Sequence, residues 1–150
     1  MQYFEDLEVG TKASFGHYEV TREEVIDFAS RYDPQPFHLD DEAAAQTYFG
    51  RLSASGWHTC AMTMRMMVEH FSSQEAASLG SPGIDELRWI KPVYPGDTLR
   101  VESELIEKRQ SKSKPHMGFT KTRQTTFNQH GEPVMTMVGN GIIRVRDPEA

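Results

Sequence analysis

The stretch Tyr32-Asp33-Pro34-Gln35-Pro36-Phe37-His38-Leu39-Asp40 places a carboxylate and an imidazole five residues apart, with two X-Pro steps between them. Each proline disfavours the helical region for the residue before it, so Asp33 and Gln35 are held extended in a stiff, non-helical loop. A carboxylate and an imidazole that meet on one water can activate it, one accepting a proton while the other orients the molecule or donates. Five extended residues span up to roughly 17 Å, so this chemistry requires the loop to curve back on itself. Asp33 also follows a helix, at the end where the macrodipole disfavours negative charge by some tenths of a kcal/mol. A residue placed against local stability points to function. The plainer alternative is that Asp33 caps a turn and His38 packs on the next helix, since Asp is a common turn residue.

The elements that must position these groups are readable on both sides. Thr21-Arg22-Glu23-Glu24 is a capping-box pattern, and behind it Val25, Phe28, Ala29 and Tyr32 fall on one face at helical spacing. Pro34 stops that helix. A short second helix is expected over 41–48 with Asp40 as its N-cap, and a long third one over about 56–71. The third carries Cys60, Ala61, Met62, Met64, Met66, Met67, Val68 and Phe71 on more than one face, the pattern of a helix buried in the middle of a domain. From about Ile84 the period changes to two. Leu99, Val101, Ser103 and Leu105 alternate with Arg100, Glu102 and Glu104, followed by strands over 117–127 and 134–145 joined by an Asn128–Glu132 turn. A further strand is expected over 15–20. One antiparallel sheet around a buried helix, an α+β architecture, satisfies this order.

The whole chain reads as one domain over 1–150. Its 150 residues bury a core without disulfides, and the single Cys60 forbids an internal one and suits a reducing compartment. A net charge of −6 gives no reason to expect nucleic acid as the partner. No apolar run exceeds three residues and the N-terminus has no leader pattern, so a cytoplasmic protein without a membrane span is expected. No Gly-rich phosphate loop or metal-ligand spacing is present, so neither cofactor nor metal is expected.

The Asp33–Asp40 stretch, with Tyr48-Phe49-Gly50-Arg51-Leu52-Ser53-Ala54-Ser55-Gly56 and Trp89-Ile90-Lys91-Pro92-Val93-Tyr94-Pro95-Gly96-Asp97-Thr98-Leu99, resembles the MaoC-like dehydratase family. That family includes the R-specific enoyl-CoA hydratases. The resemblance implies the hot-dog fold, a curled antiparallel sheet around a long central helix. It also implies that Asp33 and His38 hold the water that adds across the double bond of a trans-2-enoyl thioester, or that leaves a 3-hydroxyacyl thioester in reverse. Gly56 matches the glycine whose backbone N–H faces the thioester carbonyl, and Ser55 is placed to cap the helix that Gly56 begins.

Four positions depart from the usual pattern: Gln35 replaces Asn, Tyr32 replaces Gly, the Ser-Gly-Trp-His segment replaces His-Gly-Met, and Ala61 stands where some hydratases have serine. Gln35, Ser55, Gly56, Trp57 and His58 are therefore the expected substrate-binding residues, with His58 either a second acid or base or a locally packed ring. The expected substrate is an acyl-CoA or acyl-carrier thioester. The competing readings are a hot-dog acyl-CoA thioesterase and a non-catalytic acyl-thioester-binding member resembling nodulation protein N.

Two clusters remain. Lys108, Arg109, Lys112, Lys114, Lys121 and Arg123 put six basic residues into a window without an acid, either to grip the phosphates of coenzyme A or as a solvated hairpin tip. Met62, Met64, Met66 and Met67 form an adaptable wall for an acyl chain or simply fill the core. Because hot-dog domains pair with the ligand cleft between protomers, a homodimer or higher homo-oligomer is expected, with the basic segment near that cleft.

Overall fold

The structure is a computed structural model that describes residues 1–72 and 77–149. Strand β1 (Lys12–Glu19) leads into helix α1 (Arg22–Tyr32), then α2 (Asp41–Ala45) and the long α3 (Gly56–Ser72). Four strands follow: β2 (Ser78–Trp89), β3 (Thr98–Gln110), β4 (Met117–Phe127) and β5 (Pro133–Arg144). All pair antiparallel in one sheet of order β1-β3-β4-β5-β2, so β3, β4 and β5 form a local meander while the two earliest strands take its two edges. No helix among the described residues is long and apolar enough to cross a membrane.

The core lies between α3 and one face of the sheet. Met62 and Met66 of α3 meet Leu99 and Val101 of β3 and Val134, Met135 and Met137 of β5. The alternation expected in β3 is seen directly, with Leu99, Val101 and Leu105 buried. Met62 and Met66 thus fill the core, but Met64 does not. It lies exposed with Trp57 and Val68 on the outer side of α3, at 45%, 57% and 54%. The helix is therefore not buried all round within one chain; its apolar residues exceed what a single sheet face can cover.

Other local differences have identifiable causes. The second helix ends at Ala45, before the expected Tyr48, because a turn closes with the Gly50 N–H on the Thr47 carbonyl. Asp40 caps it as expected, its carboxylate accepting from the Ala43 N–H. The strand expected from Ile84 begins at Ser78 instead. Its first half, Ser78-Leu79-Gly80-Ser81-Pro82-Gly83, has poor strand propensity, and pairing with β5 overrides it despite three register breaks. A proline is tolerated there because β2 is an edge strand.

The expected basic cluster is largely engaged within the chain. Lys108 Nζ donates to the carbonyls of Phe4 and Leu7, Lys121 pairs with Asp85, Arg123 lies near Glu104 and Arg109 stacks on Phe119. Lys112 and Lys114 sit at the β3–β4 hairpin tip.

Strand β1 bends over α3 at Gly16, where its pairing with β3 breaks between Phe15 and Tyr18. Gly16 has φ +92°, and a Cβ there would lie 2.5 Å from Met66 Sδ. Gly16→Ala therefore adds a left-handed backbone strain to an overpacked contact, and is expected to destabilise the fold by about 1–3 kcal/mol. A thermal melt checks this, since Tm falls by about 2–4 °C for each kcal/mol in a chain of this size.

Candidate active site

Asp33 is the C-cap of α1, with φ −151° and ψ 66°, a conformation that Pro34 requires because it bars the helical region. The chain then turns sharply. The Gln35 N–H bonds the Asp33 carbonyl at 2.7 Å, and a single 3₁₀ turn over Pro36–His38 follows, begun by the fixed φ of Pro36. That turn brings His38 back towards Asp33, so that His38 Nε2 stands 3.5 Å from Asp33 Oδ2. The loop curves as the chemistry requires.

His38 is buried and its ring packs against the stacked pair Phe37 and Phe49. Its Nδ1 lies 2.7 Å from the Ser53 carbonyl. A carbonyl can only accept, so Nδ1 carries the proton, and in the neutral ring Nε2 is left bare. Nε2 and the Asp33 carboxylate then face each other as two acceptors. A water beside them can give one hydrogen to each, leaving its oxygen lone pairs free to attack.

Asp33 is held ionised. Burial alone would raise its pKa, but Ser55 Oγ–H donates to Oδ2 at 2.7 Å and Gln35 Nε2–H donates to Oδ1 at 2.6 Å. The net effect is a pKa below the ordinary carboxylate value. Gln35 is therefore a ligand of the carboxylate in this structure, and its extra methylene over Asn is what lets the amide reach back across Pro34.

Ser55 links the pair to α3. Its hydroxyl accepts from the Trp57 N–H at 3.2 Å while its carbonyl accepts from the His58 N–H, which makes Ser55 the N-cap of α3 and Gly56 the first helical residue. The N–H of an N1 residue has no intrahelical acceptor, so the Gly56 amide is available to an oxygen on a ligand. A Cβ at Gly56 would lie 2.5 Å from the Trp89 ring, so no side chain fits there. Trp89 in turn meets Trp57 edge-on at 5.1 Å, both half-exposed.

The structure thus joins Asp33, Gln35, His38, Ser55 and the first turn of α3. Trp57 lies on the outer side of that turn, and the His58 side chain points elsewhere, to Glu24 at 3.0 Å. Three contributors fall within the stretches of family resemblance but have no role assigned from sequence: the Ser53 carbonyl is backbone, Trp89 arrives from a distant strand, and Phe49 reads as an ordinary apolar residue. Glu24 was read as half of a capping box. Thr21 does accept from the Glu24 N–H, but the Glu24 carboxylate goes to His58 and Tyr18 instead of returning to Thr21. Among the described residues, no group of three or more His, Cys, Asp or Glu could hold a metal.

Removing a donor from an ionised carboxylate raises its pKa. Ser55→Ala is expected to move the Asp33 midpoint upward, read by carboxyl ¹³C shifts across an acid titration. An unchanged midpoint would show that the Ser55 hydroxyl does not hold the charge.

The sequence profile described as "MaoC like domain" matches residues 6–126. A MaoC-like dehydratase from Rhodospirillum rubrum superposes with a TM-score of 0.89 at 39% identity, over 98% of this chain and 99% of that one. An unliganded R-hydratase from Pseudomonas aeruginosa gives a TM-score of 0.67 at 27% identity, over 97% of this chain and 86% of its own. A 3-hydroxybutyryl-CoA dehydratase of Methylorubrum extorquens is 31% identical over 106 residues, which is 70% of this chain and 64% of that protein. Two further curated relatives are longer still, and the match spans 20% and 29% of their lengths. The five-stranded sheet on its long helix is the hot-dog fold, and the chain belongs to the MaoC-like dehydratase family.

Proposed function

We propose that this protein is a hydratase/dehydratase of acyl thioesters, adding water to a trans-2-enoyl thioester or removing it from a 3-hydroxyacyl thioester. The observation that carries the reading is the pairing of Asp33 Oδ2 with a bare His38 Nε2 at 3.5 Å, beside a helix N-terminus with an unbonded first amide. Two facing acceptors are a holder for one water. In the hydration direction Asp33 accepts a proton from that water as its oxygen bonds to the β-carbon, and His38 orients it. The electron pair of the double bond moves towards the thioester oxygen, where the Gly56 N–H meets the developing charge. The proton that Asp33 took up is then passed to the α-carbon, which restores the carboxylate, so that one water has been added and nothing is oxidised or reduced. The substrate is read as an acyl-CoA or acyl-carrier thioester, in keeping with a relative named as acting on 3-hydroxybutyryl-CoA.

General base removal lowers rates by about 10²- to 10⁴-fold. Asp33→Asn is expected to fall within that range while remaining folded, measured with crotonyl-CoA at the absorbance of the conjugated thioester. Equal rates in the variant and the parent would remove Asp33 from the chemistry. Thiol release in place of hydration would identify a thioesterase, and binding of CoA esters without product a non-catalytic binder.

The working unit is read as a homodimer. Trp57, Met64 and Val68 form an exposed apolar stripe at i, i+7 and i+11 on α3, and the β2 edge adds exposed Leu79, Ile84 and Trp89 beside unpaired backbone groups. One end of each, Trp57 and Trp89, lies at Gly56, so a second copy covering them would also wall the site. Light scattering is expected to give twice the chain mass of 17.1 kDa. The mass of a single chain at assay concentration would overturn the dimer.

A further inference from the structure

His58 is buried, yet it takes no part in the Asp33–His38 pair. Its Nε2 lies 3.0 Å from Glu24 Oε1, and Phe28 stacks on its ring at 4.7 Å with the planes 9° apart. The Tyr18 hydroxyl donates to the same Glu24 oxygen. The carboxylate accepts, so Nε2 carries the proton, and Nδ1 is a buried nitrogen without a hydrogen-bond partner. Protonating it would create a buried donor with nothing to receive it, and burial lowers the His58 pKa despite the nearby Glu24. The ring is thus a fixed neutral donor, unsuited to proton transfer. Glu24, the carboxylate that faces the ring, lines a surface cleft with Tyr18, His17, Glu19, Arg65 and Glu69. Tyr18, with its pKa raised to about 12 by burial and by Glu24, stays a donor throughout.

Its place in the chain gives this contact a consequence. His58 lies in the first turn of α3, two residues beyond Gly56, and its own N–H closes the cap on the Ser55 carbonyl. Glu24 and Phe28 lie on α1, the helix that ends at Asp33. Helix α1 therefore grips the start of α3 at two separated points, through Asp33 and Ser55 at its C-terminal end and through Glu24 and His58 near its N-terminal end. With α3 seated on the sheet through Met62 and Met66, one contact to α1 would still leave the direction of its first turn under-constrained. Two contacts, with β1 added through Tyr18, fix the direction in which the Gly56 N–H points relative to the Asp33 carboxylate.

We propose that His58 is a positioning residue, which through Glu24 and Tyr18 aligns the Gly56 amide with the water-holding pair. The inference rests on the hydration reading above. A donor aimed at charge that appears only in the transition state contributes to kcat without changing ground-state binding, and a misplacement of about 1 Å can lower a rate by about 10²-fold.

The test uses this 150-residue chain with four variants and steady-state hydration of crotonyl-CoA. His58→Leu and Glu24→Ala are expected to lower kcat by about 10- to 100-fold with KM within about twofold, and the double variant to lose no more than the worse single one. Glu24→Gln, whose amide oxygen still accepts both bonds, is expected to recover most of the loss. A purely structural contact would instead lower Tm and leave kcat per folded molecule unchanged, and that result in the half-exposed Glu24→Ala would overturn the proposal. If the parent hydrates no enoyl thioester, the hydration reading fails by itself. The alignment is then read from the amide resonances of Gly56 and Trp57, which move in Glu24→Ala if the tie sets their direction. Unmoved resonances would overturn the inference on either reading.

Discussion

The hydrogen bond from Ser55 Oγ to Asp33 Oδ2 joins two helix ends of opposite polarity. Taken alone, the end of α1 is a poor place for a carboxylate, because the unpaired carbonyls of a helix C-terminus repel it. The start of α3 is a good place, because its free N–H groups attract negative charge. By bonding the residue that caps α3, Asp33 is placed at both ends at once, and the second offsets the first. The site depends on this arrangement: the carboxylate stays ionised although half-buried, and the amide turn that would meet the thioester oxygen is fixed against the group that would activate the water.

The loop between these helix ends supplies the imidazole by rigid means. Pro34 and Pro36 restrict the backbone on either side of Gln35, so little conformational freedom is lost when the turn forms. The Ser53 carbonyl then selects the His38 tautomer. Ser53 and Ser55 thus act on the pair in complementary ways, one through its backbone on the imidazole and the other through its side chain on the carboxylate. Both lie in the short segment leading into α3, buried on all sides. A change in the path of that segment would disturb both partners together.

Much of this was legible in the residues. The stop at Pro34, the cap at Asp40 and the alternation of Leu99, Val101 and Leu105 follow from short-range rules that act within a few residues, whereas the Asp33–His38 pair was legible through the family resemblance and a spacing that required the loop to curve back. What was not legible depends on partners far along the chain. Residues 78–83 form a strand because β5 offers an edge, although their glycines and proline read as a loop. Glu24 abandons the capping box because Tyr18 and His58 arrive from other elements. Gly56 excludes a side chain because of Trp89, a reason no local pattern contains. The apolar outer stripe of α3 was taken as a sign of complete burial, since periodicity records which residues are apolar and not what covers them.

The strand order has a consequence for how the chain acquires its shape. β1 finds its place only beside β3, with Lys12 opposite Glu104, and β2 only beside β5, with Ser78 opposite Ile143. Asp33, Gln35, His38, Ser55 and Gly56 all lie between those two edge strands in sequence. The C-terminal meander is local and can close early, whereas the segment that holds the candidate site is anchored by long loops whose closure entropy is met late. During synthesis from the N-terminus, Asp33 and His38 emerge well before the sheet that will hold α3 against them. The half of the chain that holds the candidate site must therefore wait, with its apolar helix uncovered, for the half that follows it.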